Sequence, residues 1–318
     1  MRYVQLGRSG LTVSVVGLGC NNFGRRLDLA GTRVVVTAAL DAGITLLDTA
    51  DVYGRHDGAS ESLLGEVLAG VRDRVVLATK FGLDMEGRSG PDWGARGSRR
   101  YIRQAVEASL RRLRTDYLDL YQYHRPDGIT PVEETLAALH ELVVEGKVRY
   151  LGSSNLAGWQ VADADWLARS AGTTRFISAQ NHYNLLKRDA ERELVPACEH
   201  LGVGLLPYFP LASGLLTGKY RRGEEPPAGR LAGSAEIRSP ANLDRIEALE
   251  RYAAERGRSV LDVAIGGLAA QPAVASVIAG ATTAEQVAAN VRAGQWRPTP
   301  DDLRALDAVV PSRRPGAP

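Results

Sequence analysis

The chain has 318 residues, 44% of them hydrophobic, enough to bury one large core or two modest ones. Lys and Arg number 39 and Asp and Glu 37, a formal net charge of +2, and so close a balance leaves no electrostatic footprint for nucleic acid or an anionic membrane. The two cysteines, Cys20 and Cys198, form no CxxC, so neither a disulfide framework nor a metal site is indicated, and a reducing cytoplasm is the simplest setting.

YVQLGRSGLTVSVVGLG opens the chain as two short strands about a turn at Ser9 and Gly10, with apolar residues alternating at Leu11, Val13 and Val15. VGLGC, ending at Cys20, has the look of a lipoprotein cleavage site, but the stretch before it is short and interrupted by Thr12 and Ser14. No window approaches the run of about 20 apolar residues that spans a bilayer. The expectation is a cytoplasmic protein acting on a small molecule, with no nucleic-acid or membrane partner. Its oligomeric state stays open, because no heptad or amphipathic stripe stands out.

ITLLDTADVYG, residues 44–54, reads as a buried strand that ends at Asp48 and runs into a polar loop carrying Tyr53. Beyond it the pattern repeats. Apolar strands are expected near Val15, Ile44, Val75, Tyr117, Val148, Phe176 and Val203, with a last one near Val274. Helices are expected over 32–42, 61–69 with Ser60 as N-cap, 99–114, 132–146, 159–170 and 188–201. The interval after Val203 exceeds one strand plus one helix, which places an inserted loop at 211–239 and an extra helix at 242–256. Alternation of this kind predicts one α/β domain over 1–318, a (β/α)8 TIM barrel with an N-terminal β-hairpin and an insertion before the last strand. A doubly wound dinucleotide-binding sheet would carry GxGxxG after its first strand, where GLGCNNFG lacks that spacing.

Barrel enzymes work at the C-terminal ends of their strands, so the residue on which each strand ends is informative. The second ends at Asp48, the third at Lys80 and the fourth at His124; the fifth ends in GSSN, the sixth in AQN and the seventh in LLPYFP. Singly, each has a plain structural explanation, but six successive polar or aromatic ends point to a site. Tyr53, Lys80, Asp48 and His124 together suggest proton donation to a carbonyl oxygen. A lysine against Tyr53 favours phenolate and should lower the phenol's pKa, with Asp48 keeping the lysine charged and His124 orienting the carbonyl. No side chain supplies a hydride, so a nicotinamide cofactor is implied. Substrate contacts are sought on or just past strand ends, at Asn22, Phe23, Phe81 and Trp93 beside Tyr53 and His124.

DTADVYG, LATKFG, DLYQYHRPD, VRYLGSSN, AQNHYNLL, PYFPLASGLLTGKY and VIAGATTAEQVAAN follow one another over nearly the whole chain in an order and spacing that resembles the aldo-keto reductases. The resemblance implies a (β/α)8 barrel, NADPH as hydride donor, and a catalytic tetrad of Asp48, Tyr53, Lys80 and His124 with Tyr53 as proton donor. It also implies cofactor contacts by Cys20, Asn21 and Asp48, by Ser154, Asn155 and Gln180 on the carboxamide, and by Tyr208 stacked on the nicotinamide. Pro210, Leu211, Ser213, Gly214 and Lys219 would embrace the pyrophosphate, Arg230, Gly280, Thr282, Gln286 and Asn290 the adenosine end, and Phe209 is a further cofactor contact. Many members carry Lys and Arg where this chain has Gly280 and Gln286, and serine where it has Phe209. Members resembling potassium-channel β subunits also have Gly and Gln there and use NADP.

Two other readings are implied by neighbouring branches of the resemblance. One is a regulatory subunit that binds NADP(H) and turns over slowly; such β subunits carry asparagine at the position of His124. The other is reduction of an activated C=C bond, by members with glutamate there. Histidine favours reduction of an aldehyde or ketone, including sugar-derived carbonyls.

Overall fold

The computed structural model describes residues 1–54, 58–220, 222 and 239–311. A hairpin comes first, β1 (Tyr3–Gln5) against β2 (Thr12–Ser14), its turn tied by Leu6 N–H donating to Leu11 O and by the Ser9 hydroxyl donating to Leu6 O. Strands and helices then alternate: β3 (Val16–Gly19), α1 (Leu29–Asp41), β4 (Leu46–Asp48), α2 (Ala59–Val67), β5 (Val76–Phe81), α3 (Arg99–Leu113), β6 (Leu118–Tyr123), α4 (Val132–Val144), β7 (Val148–Ser154) and α5 (Gly158–Ala171). After β8 (Phe176–Gln180), α6 (Leu194–Leu201) and β9 (Gly204–Leu205), two helices, α7 (Pro240–Ala254) and α8 (Val260–Ala269), precede β10 (Val277–Gly280). Helices α9 (Ala284–Ala293) and α10 (Pro300–Val309) follow it.

The eight inner strands are parallel and run in the order β10, β3, β4, β5, β6, β7, β8, β9. The ring closes between β9 and β10 through the Leu205–Val274 bridge, Ala275 N–H to Leu205 O at 2.9 Å and Ile278 N–H to Pro207 O at 3.0 Å. This is the (β/α)8 TIM barrel expected from the alternation. Side chains alternate in and out along each strand. Leu46, Ala78, Leu120, Leu206 and Ile278 form the interior, and Leu6 and Val13 of the hairpin join them, plugging the N-terminal end. Leu47, Leu77, Phe81, Tyr121 and Tyr123 point outward into the layer shared with the helices. The interior is tight enough that a Cβ on Gly152 would lie 2.4 Å from Ser178 Oγ, so any larger residue there would have to displace that side chain.

Three local expectations are corrected. Ser60 is not the cap of α2; Gly58 is, at φ +72, while Ser60 lies inside the first turn with its hydroxyl on Cys20 O at 2.9 Å. A serine in the right place for capping was drawn instead into tying the α2 end to the end of β3. The helix expected over 188–201 begins only at Leu194, after a 3-10 turn at Asp189–Glu191. Arg188 is buried and pairs with Glu191 and Asp307 at 2.7 Å, which holds it off the helix. The extra helix starts two residues early because Pro240, with φ already set, opens it. The inserted segment begins as a 3-10 stretch, Ala212–Thr217.

Candidate active site

The polar residues converge because alternation puts them two places after interior apolar ones. Leu46 is followed inward by Asp48, Ala78 by Lys80 and Leu120 by Gln122, so three neighbouring strands each lift a polar side chain to the C-terminal mouth. Lys80 Nζ donates to Asp48 Oδ2 at 2.6 Å and to Thr49 O at 2.8 Å. Gln122 Nε2 and Gln180 Nε2 both donate to Asp48 Oδ1, at 3.0 and 2.8 Å. Asp48 is thus a buried carboxylate with one cation and two amide donors, the pairing that a charge removed from water requires.

The Tyr53 hydroxyl lies 3.5 Å from Lys80 Nζ, the outer limit of a hydrogen bond. The His124 ring meets the Tyr53 ring edge-on at 6.1 Å. His124 is fixed through its backbone, its N–H on Phe81 O and its carbonyl accepting from Asn155 Nδ2 at 3.0 Å. Its Nδ1 is buried with no protein partner among the described residues.

Electrostatics correct one expectation. Burial pushes the Tyr53 phenol above its usual 10.0; the Lys80 charge pulls it down but does not prevail, and Asp48 adds to the rise. The sequence shows the cation and not the desolvation, hence the opposite sign expected from it. Lys80 is held above its usual 10.5: burial alone would lower it, but Asp48 and Tyr53 outweigh that. Burial first, then Lys80 and Arg125, drive the His124 imidazole well below 6.5. Near neutral pH the cluster therefore holds a protonated phenol, an ammonium and a neutral imidazole.

A cleft of about 610 Å³ opens over this cluster and runs to the start of α9, within the range of about 300–1,000 Å³ usual for small-molecule sites. Asp48, Tyr53 and His124 line its floor, with Lys80 just beneath. Cys20, Asn21, Ser154, Asn155, Gln180, Tyr208, Phe209, Pro210, Leu211, Ser213, Gly214, Lys219, Gly280, Thr282, Gln286 and Asn290 line it too, as does Asn22. Arg230 lies outside the described residues.

The lining is pre-set by its own bonds. Asn155, at φ +60, accepts from the Tyr208 hydroxyl at 2.8 Å and donates to Ser154 Oγ, which donates to Gln180 O. The Tyr208 ring is backed by His182 at 5.4 Å, nearly parallel. Phe209, Ala212 and Ser213 all have positive φ, a strained conformation for residues other than glycine that costs on the order of 1 to 3 kcal/mol apiece. Gln286 Oε1 accepts from Thr282 N–H and hydroxyl beside the α9 N-terminus.

Three predicted substrate contacts do not reach this cleft. Phe81 follows inward-facing Lys80, so the same alternation turns it outward, where it stacks on Tyr121 at 4.7 Å and Tyr123 at 5.2 Å. Phe23 is fully buried in the helix-side core. Trp93 is 73% exposed, under the Arg100 guanidinium, and is absent from the lining. Residues the sequence reading passed over are Gln122, Arg26, Leu83 and Arg125. Gln122 was detectable as the one amide between apolar Leu120 and His124 on an inward face. Arg125 was in view, directly after His124.

The sequence profile described as the aldo/keto reductase family matches residues 15–311. A probable voltage-gated potassium channel subunit beta of Oryza sativa is 36% identical, covering 98% of both chains. An uncharacterized oxidoreductase of Bacillus subtilis is 37% identical, covering 98% of this chain and 96% of its own. The L-glyceraldehyde 3-phosphate reductase of Escherichia coli is 35% identical over 92% of this chain and 87% of its own.

Proposed function

The chain belongs to the aldo/keto reductase family, and from that premise we propose that it reduces an aldehyde or ketone to an alcohol, using NADPH, as one barrel domain in the cytoplasm. The observation that carries this reading is the convergence of Tyr53, Lys80, Asp48 and His124 on the floor of one cleft. The chemistry of the cleft lining supports a dinucleotide there. It has amide groups at Asn155 and Gln180, an aromatic face at Tyr208, a turn at Leu211 to Gly214 and a helix N-terminus at α9. Bound there, NADPH supplies the hydride.

Tyr53 then gives its proton to the carbonyl oxygen, and the neutral His124 ring donates a hydrogen bond to that oxygen. Lys80 stabilises the phenolate left behind, and Asp48 keeps Lys80 charged and in place. Both cysteines are free and buried, in keeping with a reducing compartment. Among the described residues no helix is long and apolar enough to cross a membrane.

Because Tyr53 titrates above 10 and His124 below 6.5, kcat/KM for reduction should be flat from about pH 7 to 9.5. A break inside that window would mean that the Lys80 charge, not burial, sets the phenol. The same shift in His124 works on stability. Its folded pKa lies below the unfolded value, so the unfolded chain binds the extra proton, and its contribution is complete above 6.5 and is lost as pH falls below it.

Lys219 lines the cleft with no carboxylate partner among the described residues, and with Gly280 and Gln286 standing where many family members carry Lys and Arg, it reaches from the pyrophosphate turn to serve the 2′-phosphate as well. Its replacement by alanine should raise the dissociation constant for NADPH more than that for NADH, read by fluorescence titration. Equal weakening would assign Lys219 to the pyrophosphate shared by both. The similarity to the rice protein named as a channel β subunit supports a second reading, an NADP(H)-binding subunit with slow turnover; tight NADPH binding with no turnover of any carbonyl would favour it.

A further inference from the structure

Beside Tyr53 and His124 the cleft holds a positive charge for which the reduction of a plain aldehyde has no use. Arg125 follows His124 directly, is exposed, and lines the cleft with it. Its charge is felt by both the His124 imidazole and the Tyr208 phenol, so it lies near the two along the same cleft wall. Its backbone springs from a fixed point, because His124 is bonded at both its N–H and its carbonyl.

No acid answers it among the described residues. Among the described residues the one carboxylate lining the cleft is Asp48, held by Lys80 at 2.6 Å. Asp127, two residues on, accepts from the backbone N–H groups of Gly97, Ile129 and Thr130. Asp84 pairs with Arg96 at 2.9 Å. The other cations of the cleft belong elsewhere along it. Lys219 follows the turn proposed for the pyrophosphate, and Arg26 hangs by its N–H from Asn22 O, with Asn22 bonded in turn to Ala281 O beyond β10.

A guanidinium offers paired N–H donors that match a carboxylate or a phosphate. Resting on the carbonyl-reduction reading above, we propose that the substrate is an aldehyde or ketone bearing a carboxylate or phosphate, and that Arg125 selects it by binding that anion. Asp48 and Lys80 neutralise each other, so the anion meets no repelling charge from the floor of the cleft.

The test is steady-state kinetics at saturating NADPH on two matched pairs: 4-carboxybenzaldehyde against 4-methylbenzaldehyde, and glycolaldehyde phosphate against glycolaldehyde. In the wild type the anionic member of at least one pair should be preferred, and the pair with the larger ratio identifies carboxylate or phosphate as the anion. Arg125→Ala should collapse that kcat/KM ratio by about 10-fold to 100-fold, chiefly through KM, with Arg125→Lys restoring part of it. A ratio unchanged by Arg125→Ala, with aldehydes still reduced, overturns the proposal alone. Equilibrium binding of 4-(hydroxymethyl)benzoate and 4-methylbenzyl alcohol to NADP+-saturated protein separates the two levels. Arg125-dependent binding of the carboxylate without turnover of any carbonyl would sink the carbonyl-reduction reading and keep the anion site.

Discussion

Tyr53→Phe should lower kcat for carbonyl reduction by about 100-fold to 10,000-fold, the usual weight of a positioned general acid, while NADPH binding stays nearly unchanged. The ring of Tyr53 contributes packing and an edge to His124, and phenylalanine keeps both. What it removes is the hydroxyl at 3.5 Å from Lys80 Nζ, the group proposed to hand its proton to the carbonyl oxygen. The loop itself should survive the change. It is anchored elsewhere, by Asp51 N–H on Lys80 O, Tyr53 N–H on Ala50 O and Thr49 Oγ1 against Ser60 Oγ. Substantial residual turnover in a folded Tyr53→Phe protein would remove Tyr53 from its role.

The second large effect is on stability. Lys80 and Asp48 are both buried, 2.6 Å apart, and Lys80→Met leaves Asp48 as a charge without its cation. Breaking such a pair costs about 3 to 5 kcal/mol, which urea denaturation would report as a lower midpoint at unchanged slope. Part of the loss is offset if Asp48 takes up a proton, so the informative comparison is a double-mutant cycle. In an Asp48→Asn background, Lys80→Met should cost much less, because no bare carboxylate remains. Equal costs in both backgrounds would mean that the pair is not coupled. The raised Lys80 pKa puts the pair's contribution fully in force below 10.5, to be lost as pH rises past its folded value, so neutral buffers leave it intact.

How far the amino-acid order carried can be seen residue by residue. Asp48, Lys80 and His124 were readable because each ends an apolar run, and a polar group there has either a partner or a task. The barrel was readable because strand and helix lengths repeat. Phe81 was misplaced although the means to place it were present: with Lys80 inward, period-two alternation sends its neighbour outward. Burial is different in kind. Neither the sign of the Tyr53 shift nor the packing of Phe23 appears in the local sequence, because desolvation depends on chain segments brought in from elsewhere. Ser60 shows a third case, in which a residue suited to capping was taken by a tertiary bond to Cys20 O.

The central claim, hydride transfer to a carbonyl on this barrel, is tested most directly with NADPH carrying deuterium at C4 of the nicotinamide. The purified protein is incubated with it and a panel of neutral, carboxylated and phosphorylated aldehydes, and the product alcohols are analysed by mass spectrometry. With Tyr208 backed by His182 and presenting one ring face to the cleft, deuterium should appear on the former carbonyl carbon from only one of the two C4 epimers. Binding of NADPH with no deuterium passed to any member of the panel would contradict the account.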